Sequence, residues 1–199
     1  MSKKFKITAH QKQIIIGKIL GDGYLETTNG ITYRLKVEHS IKQKEYVFWA
    51  YRELKNISPS KPRLKMHKSF NRKTYKKYWF NTSYTTSLKF YGQQFYPEGK
   101  KVVPKLIHRW LTPLAFAVWF MDDGSIKSKE CKGKIINTQS FDEVSLKRLR
   151  LAIESNFKIK TTLRKQKDGT QLYIPASEYD KLKQVIGKYT LPSLSYKLG

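Results

Sequence analysis

Two stretches of this chain carry an apolar helix pattern that stops on an aspartate and a glycine, and a chain built twice on that pattern has few folds open to it. The later copy runs Leu111-Thr112-Pro113-Leu114-Ala115-Phe116-Ala117-Val118-Trp119-Phe120-Met121-Asp122-Asp123-Gly124-Ser125. The earlier one runs Gln13-Ile14-Ile15-Ile16-Gly17-Lys18-Ile19-Leu20-Gly21-Asp22-Gly23-Tyr24, so that Asp22-Gly23 aligns with Asp123-Gly124. A glycine at this point predicts a left-handed residue just past a helix, which puts each Asp in the last turn. That is the wrong end for an acid, because the negative pole of the macrodipole disfavours a carboxylate there by roughly 0.3–1 kcal/mol. A divalent metal is the simplest group that offsets the charge at both places. A lone Asp-Gly is ordinarily a turn; two in register at the ends of apolar helices call for another reading.

The nonapeptides Ile15-Ile16-Gly17-Lys18-Ile19-Leu20-Gly21-Asp22-Gly23 and Phe116-Ala117-Val118-Trp119-Phe120-Met121-Asp122-Asp123-Gly124 resemble the signature of the LAGLIDADG homing endonucleases. Two copies in one chain, the second reading Trp-Phe-Met-Asp-Asp-Gly, resemble the single-chain, intron-encoded branch, and the resemblance covers nearly the whole sequence. It implies that Asp22 and Asp123 are metal-binding catalytic acids and that the backbone carbonyls of Gly21 and Asp122 assist them. The implied ion is Mg²⁺, whose preference for oxygen ligands and retained water suits such a site, with Mn²⁺ able to substitute. Register with Asp22 selects Asp123, not Asp122, as the acid. The family places one basic residue beside each active site, and Lys101 and Lys197 sit at matching places in the two halves. His39 and Gln139, at corresponding strand ends, are candidates for ordering water. Gly17 and Gly21 give the first helix a small-residue face, where the second helix has Val118 and Asp122; close contact there draws on Ala115, Ala117 or a different crossing.

Composition agrees with a polyanion as partner. Lys plus Arg number 40 against 15 Asp plus Glu, a formal charge of +25. The basic residues lie on strand-like and loop-like segments, not along one amphipathic helix, which argues against an acidic membrane surface. With 13 Tyr, 10 Phe and 4 Trp, the chain is too aromatic to be disordered. The single Cys131 excludes a cysteine framework of disulfides or metal ligands. No apolar run reaches the length of a membrane span, and Met1 to Lys6 lacks a signal-peptide pattern, so the expected setting is soluble and intracellular, in an organellar matrix or a prokaryotic cytoplasm.

In chain order, Thr8 with Gln11 predicts a capping box for the first motif helix. After a loop through Thr27, Asn29 and Gly30, Tyr33 to His39 alternates as a half-buried strand. A helix over 44–56 follows, with Val47, Ala50, Tyr51 and Leu54 on one side. Then come strands at Arg63–Lys68 and Lys77–Asn81 about a turn at Asn71 to Thr74, and a helix near Thr85–Tyr91. Residues 1–96 form the first half, 97–113 the link, and 114–199 the second half. The second half repeats the order with a polar loop, a strand over Lys134–Gln139, a helix opened by Ser140 and Glu143, a hairpin about Lys167-Asp168-Gly169, and a helix near Glu178–Tyr189. Two copies that each present an apolar helix bury it best against one another. The fold class is α+β: two pseudo-symmetric αββαββα-type halves, their motif helices packed at the centre and their two antiparallel sheets forming a basic saddle.

Outward strand side chains of such a saddle meet double-stranded DNA in the major groove, which admits a two-stranded ribbon. Arg34, Lys36, Arg63, Lys65, His67, Lys77, Lys134, Arg164, Gln166 and Gln171 are the candidates. The expected activity is site-specific double-strand cleavage at a long asymmetric target, which the resemblance implies leaves 3′ overhangs, by a monomer that needs no protein partner. Two alternatives from the binding class are an RNA maturase that assists intron splicing and a DNA-binding regulator on the same scaffold.

Overall fold

The computed structural model describes residues 4–68, 74–128 and 130–199. Helix α1, Ala9–Leu20, begins where expected: Thr8 Oγ1 accepts the Gln11 N–H and Gln11 Oε1 accepts the Thr8 N–H, each at 3.1 Å. Strands β1 (Tyr24–Thr27) and β2 (Tyr33–Ser40) follow, then helix α2 (Lys44–Glu53), strands β3 (Arg63–Lys68) and β4 (Thr74–Asn81), and helix α3 (Lys89–Phe95). A short helix α4, Ile107–Trp110, lies in the connecting stretch. The second series is α5 (Pro113–Asp123), β5 (Gly124–Ser128), β6 (Cys131–Ile136), α6 (Glu143–Phe157), β7 (Thr162–Gln166), β8 (Gly169–Ile174) and α7 (Tyr179–Ile186).

The two antiparallel sheets share one strand order, β1-β2-β4-β3 and β5-β6-β8-β7. β1 and β5, the first strand of each, are not visible in the alternation. Each is short and buries one residue, Leu25 or Gly124, so it has no period to read. The turn residues 71–73 lie outside the described residues. α6 is opened by Asp142, whose carboxylate accepts the Ser145 N–H at 2.7 Å, and not by Ser140.

Buried apolar residues from both series form one core, with Ile14, Ile15, Ile19, Phe116, Trp119 and Phe120 fully enclosed at its centre. The connecting stretch is docked onto it. Trp110 packs edge-on against Phe90 and Tyr91 of α3, and Arg148 of α6 donates to the Val103 carbonyl at 2.7 Å.

At the centre α1 and α5 pack side by side. Their contact pairs a glycine on one helix with a larger residue on the other. A Cβ on Gly17 would stand 2.5 Å from the Ala115 carbonyl and 2.6 Å from Val118 Cβ, and one on Gly21 would stand 2.5 Å from Asp122 Cβ. The terminal glycines serve close approach as well, and not left-handed backbone. α1 ends at Leu20, so Asp22 lies just past it, while Asp123 is the last residue of α5. Gly124 is extended, with φ −73°, and Gly23 is absent from the positive-φ glycines. Their added Cβ atoms would meet the carbonyls of Phe120 at 2.4 Å and Lys18 at 2.6 Å.

Gly17→Val should therefore wedge the two helices apart. The expected loss is about 1–3 kcal/mol, the usual cost of overfilling a packed core, read from the midpoint and slope of urea unfolding. Val118→Ala in the same chain should recover part of it.

Candidate active site

The packed helix ends bring three carboxylates together. Asp123 accepts a hydrogen bond from the Trp119 indole N–H at 3.2 Å. Asp22 has a half-exposed side chain with Oδ2 3.5 Å from His39 Nδ1. Asp122 is fully enclosed: its Oδ1 accepts from the Lys18 ammonium at 2.9 Å and its Oδ2 from the backbone N–H of Asp22 at 3.1 Å. Burial, and next the charge of Asp122, push the carboxyls of Asp22 and Asp123 up, the latter to about 8. Burial also pushes Asp122 up, but Lys18, His39 and Tyr46 together outweigh it and hold this carboxyl below its ordinary value.

A lysine reaches each helix end from outside. Lys101 Nζ donates to the Gly21 carbonyl at 2.7 Å, and Lys197 Nζ donates to the Met121 and Asp122 carbonyls at 2.6 and 2.8 Å. The two lysines expected beside the acids thus touch equivalent backbone atoms, those of the residues preceding Asp22 and Asp123. Burial lowers the pKa of both.

His39 is buried on β2 with its pKa pushed down to about 3, by burial first and Lys18 second, so the ring is neutral. An ammonium can only donate, so Lys18 Nζ, 2.8 Å from His39 Nε2, leaves the ring proton on Nδ1, facing Asp22. Asp22, His39 and Asp122 offer ligand atoms within 4.8 Å of one another. The Lys18 ammonium already stands between the last two. In sheet register Thr138, not Gln139, is the counterpart of His39, because Tyr24 opposes Lys36 while Ser125 opposes Ile135. Thr138 is enclosed and donates to the Thr170 carbonyl at 2.7 Å; Gln139 turns away, 3.4 Å from Asp168 of the β7–β8 turn.

Sequence reasoning missed Lys18, Tyr46 and Trp119. Tyr46, enclosed on α2, donates to the Val118 carbonyl at 3.0 Å and stacks under the Lys18 ammonium, 3.7 Å from the ring centroid. A signal existed: a cation within the apolar run of one motif helix and a spare carboxylate inside its twin. Removing one partner of such an enclosed pair costs roughly 3–5 kcal/mol.

The sheet faces turned away from the helices carry most of the expected contacts. Tyr33, Leu35, Val37 and His39 point inward from β2, which leaves Arg34, Lys36 and Glu38 outward. Register puts Arg63 opposite Trp79 and Lys65 opposite Lys77 on that outer face. His67 opposes Tyr75 by its backbone; its side chain lies outside the described residues. Arg34 is held by Glu26 and lies 4.6 Å from the centroid of the Tyr84 ring, and Glu38 contacts Lys77 at 2.9 Å and Lys65 at 3.6 Å. In the second sheet Arg164 opposes Gln171 and Gln166 opposes Gly169, outward of the enclosed Leu172 and Ile174.

Lys134 does not join them. It opposes Ile174 on the inner face, 2% exposed, its ammonium 4.6 Å from the Tyr179 ring centroid. The run Lys134-Ile135-Ile136 is ambiguous in phase, and one step of register exchanges the two faces of a strand.

Residues 12–182 match the family model described as LAGLIDADG DNA endonuclease family. The chain is 30% identical to the protein named DNA endonuclease I-ChuI of Chlamydomonas applanata, over 97% of this chain and 96% of that one. It is also 30% identical to cytochrome b mRNA maturase bI2 of Debaryomyces hansenii, over 94% of this chain and 72% of that one. In fold it is similar to the homing endonuclease I-WcaI bound to its DNA recognition sequence, with a TM-score of 0.92, 23% identity, and 98% of this chain and 88% of that one covered. Among the described residues no helix is long and apolar enough to cross a membrane.

The raised Asp123 carboxyl sets a pH dependence. Its pKa is 3.8 ordinarily and about 8 in the fold, so between those values the unfolded chain has released a proton that the folded chain keeps. Stability from this group is full below pH 3.8 and is lost as pH rises through about 8. In chelator, melting temperature should fall more steeply with pH across this window for the wild-type chain than for Asp123→Asn.

Proposed function

Since the chain belongs to the LAGLIDADG DNA endonuclease family, we propose that it is a single-chain, Mg²⁺-dependent, site-specific double-strand DNA endonuclease that leaves 3′ overhangs. The observation that carries this reading is the pair of carboxylates at adjoining helix ends, each with a lysine on the backbone beside it: Asp22 with Lys101 at Gly21, and Asp123 with Lys197 at Asp122. Its two halves are residues 1–96 and 114–199, joined by 97–113. It acts on DNA inside the cell.

The residues present fit a divalent cation. Asp22 and Asp123 have carboxyls raised by burial first and then by the charge of Asp122, which nearby lysines do not cancel, and a hard cation favours such an oxygen donor set. Asp22 with the Gly21 carbonyl, and Asp123 with the Asp122 carbonyl, would form two cation-holding centres, one for each strand; Mg²⁺ or Mn²⁺ bound there would supply an activated water and neutralise charge on the attacked phosphate. Lys101 and Lys197, anchored on backbone, present fixed positive charge where the phosphate becomes more negative, and preorganised charge of this kind stabilises a transition state without reorganisation. The His39 imidazole turns its Nδ1–H toward Asp22 and orients that carboxylate. Arg34, Lys36, Arg63, Lys65 and Lys77 on one sheet and Arg164, Gln166 and Gln171 on the other meet phosphates and base edges.

The bI2 relatives favour a second reading, that the same chain assists splicing of an intron RNA. Cleavage and splicing assays on one preparation separate the two. Retention of both acids argues against a purely regulatory DNA-binding protein.

Asp22→Asn or Asp123→Asn should abolish double-strand cleavage and leave specific binding within about tenfold, since each removes a metal ligand but little volume. Normal cutting of both strands by either variant would overturn the assignment. Lys101→Met and Lys197→Met should slow cleavage more than they weaken binding, as compared from single-turnover rates and equilibrium titration.

Because the two outer faces differ, a complex with one protein per non-palindromic duplex is expected. Its affinity should fall steeply with salt, with a log-log slope of about −0.9 for each phosphate neutralised. Native mass spectrometry gives the stoichiometry; two proteins per duplex at cutting concentrations would rule out the single-chain reading.

A further inference from the structure

The chemistry just described uses Lys18 only to fix the His39 ring proton, although its ammonium sits among the acids. The side chain is wholly enclosed, in the last turn of α1. Its Nζ donates to Asp122 Oδ1 at 2.9 Å and to His39 Nε2 at 2.8 Å, over the face of the Tyr46 ring. Asp122 passes the contact back across the helix pair, for its second oxygen accepts the Asp22 N–H at 3.1 Å. Room for that carboxylate exists because residue 21 is glycine, whose added Cβ would stand 2.5 Å from Asp122 Oδ2. The path runs from α1 to α5 and returns to the backbone of one catalytic acid. The other acid is held differently. Asp123 belongs to α5 itself, and its carboxylate is met by Trp119 of the same helix. Among the described residues no side chain of α1 forms a hydrogen bond with the Asp123 backbone.

We propose that Lys18 and Asp122 are a buried positioning pair for the Asp22 centre alone: Asp122 fixes the backbone that aims Asp22, and Lys18 is the internal counter-ion that lets Asp122 stay charged out of reach of water. This rests on the endonuclease reading, in which Asp22 and Asp123 serve two cleavage centres. Its consequence is that the two DNA strands are cut by centres held in place by different means, so that damage to the pair unbalances the two cuts.

Lys18→Met alone strands a buried carboxylate and is expected to unfold the protein. Lys18→Met/Asp122→Leu removes both charges together, an exchange that buried ion pairs commonly tolerate, and it takes away the acceptor of the Asp22 N–H. Two measurements on this double variant decide the matter. Amide hydrogen exchange of the free protein by NMR should speed up about tenfold at Asp22, the scale of one lost hydrogen bond to a charged group, and stay unchanged at Asp123. With Mg²⁺ and a duplex labelled on either strand, one strand's cleavage should slow about tenfold more than the other's, so that nicked duplex accumulates.

A folded double variant that keeps the wild-type ratio of strand rates, or wild-type protection at Asp22, overturns the proposal. So does a double variant that does not fold, because the pair would then support the core instead of aiming Asp22. If the wild-type chain cuts neither strand with Mg²⁺ or Mn²⁺, it is the endonuclease reading that fails, and exchange at Asp22 alone shows whether the pair fixes that backbone.

Discussion

How near α1 and α5 can come to one another governs the rest of the molecule. Gly17 and Gly21 remove the side chains that would keep the helices apart, and Val118 and Asp122 fill the space they leave. That approach brings two helix C-termini side by side, so carboxylates that would otherwise be diluted in solvent share one small volume. The raised carboxyls of Asp22 and Asp123 follow from this placement. The enclosed Lys18–Asp122 pair and the lysines on the helix-end carbonyls are the positive charge the same crowding demands. Tyr46, reaching from α2 to the Val118 carbonyl, ties the first sheet's helix to the second motif helix, so the sheets inherit their places from the central contact.

Much of this is legible in the sequence. The apolar runs, the Thr8–Gln11 box, the alternation of Tyr33–His39 and the Asp-Gly hairpin each carry a local physical cause that tertiary contacts did not override. The matched acids and Lys101 and Lys197 could be placed because the chain repeats itself. What escaped had no local cause. β1 and β5 are too short to show a period. Lys134 sits in a run whose phase is set by the neighbouring strand, not by its own letters, and its ammonium is accommodated by a ring from α7. Gly23 and Gly124 fit the pattern of left-handed caps, but the constraint on them is a carbonyl one turn back. Gln139 and Thr138 differ by a single step of register, which only the paired strands define.

The outer face of the first sheet adds a point about recognition that net charge hides. Glu26 and Glu38 stand on a surface otherwise shaped for a polyanion, and each is engaged with cations: Glu26 with Arg34 and Lys36, Glu38 with Lys65 and Lys77. A long basic side chain loses rotamer freedom when it docks, and holding it in advance lessens that loss. The second sheet has neutral Gln166 and Gln171 at its outward positions, with Gln171 donating to Asn137. The two faces therefore differ in how their outward side chains are held as well as in charge.

The size and charge matching of the central helices also bears on how such a chain can have descended from a repeated half. If two copies of α1 met in the observed arrangement, each Lys18 ammonium would be enclosed without Asp122, and glycine would oppose glycine across a void. If two copies of α5 met, two enclosed carboxylates would lack Lys18, and Val118 would collide with Val118. Each helix is complementary to the other and incompatible with itself. With Lys18 and Asp122 both in place, neither half can pair with a copy of itself, and each motif helix requires the other.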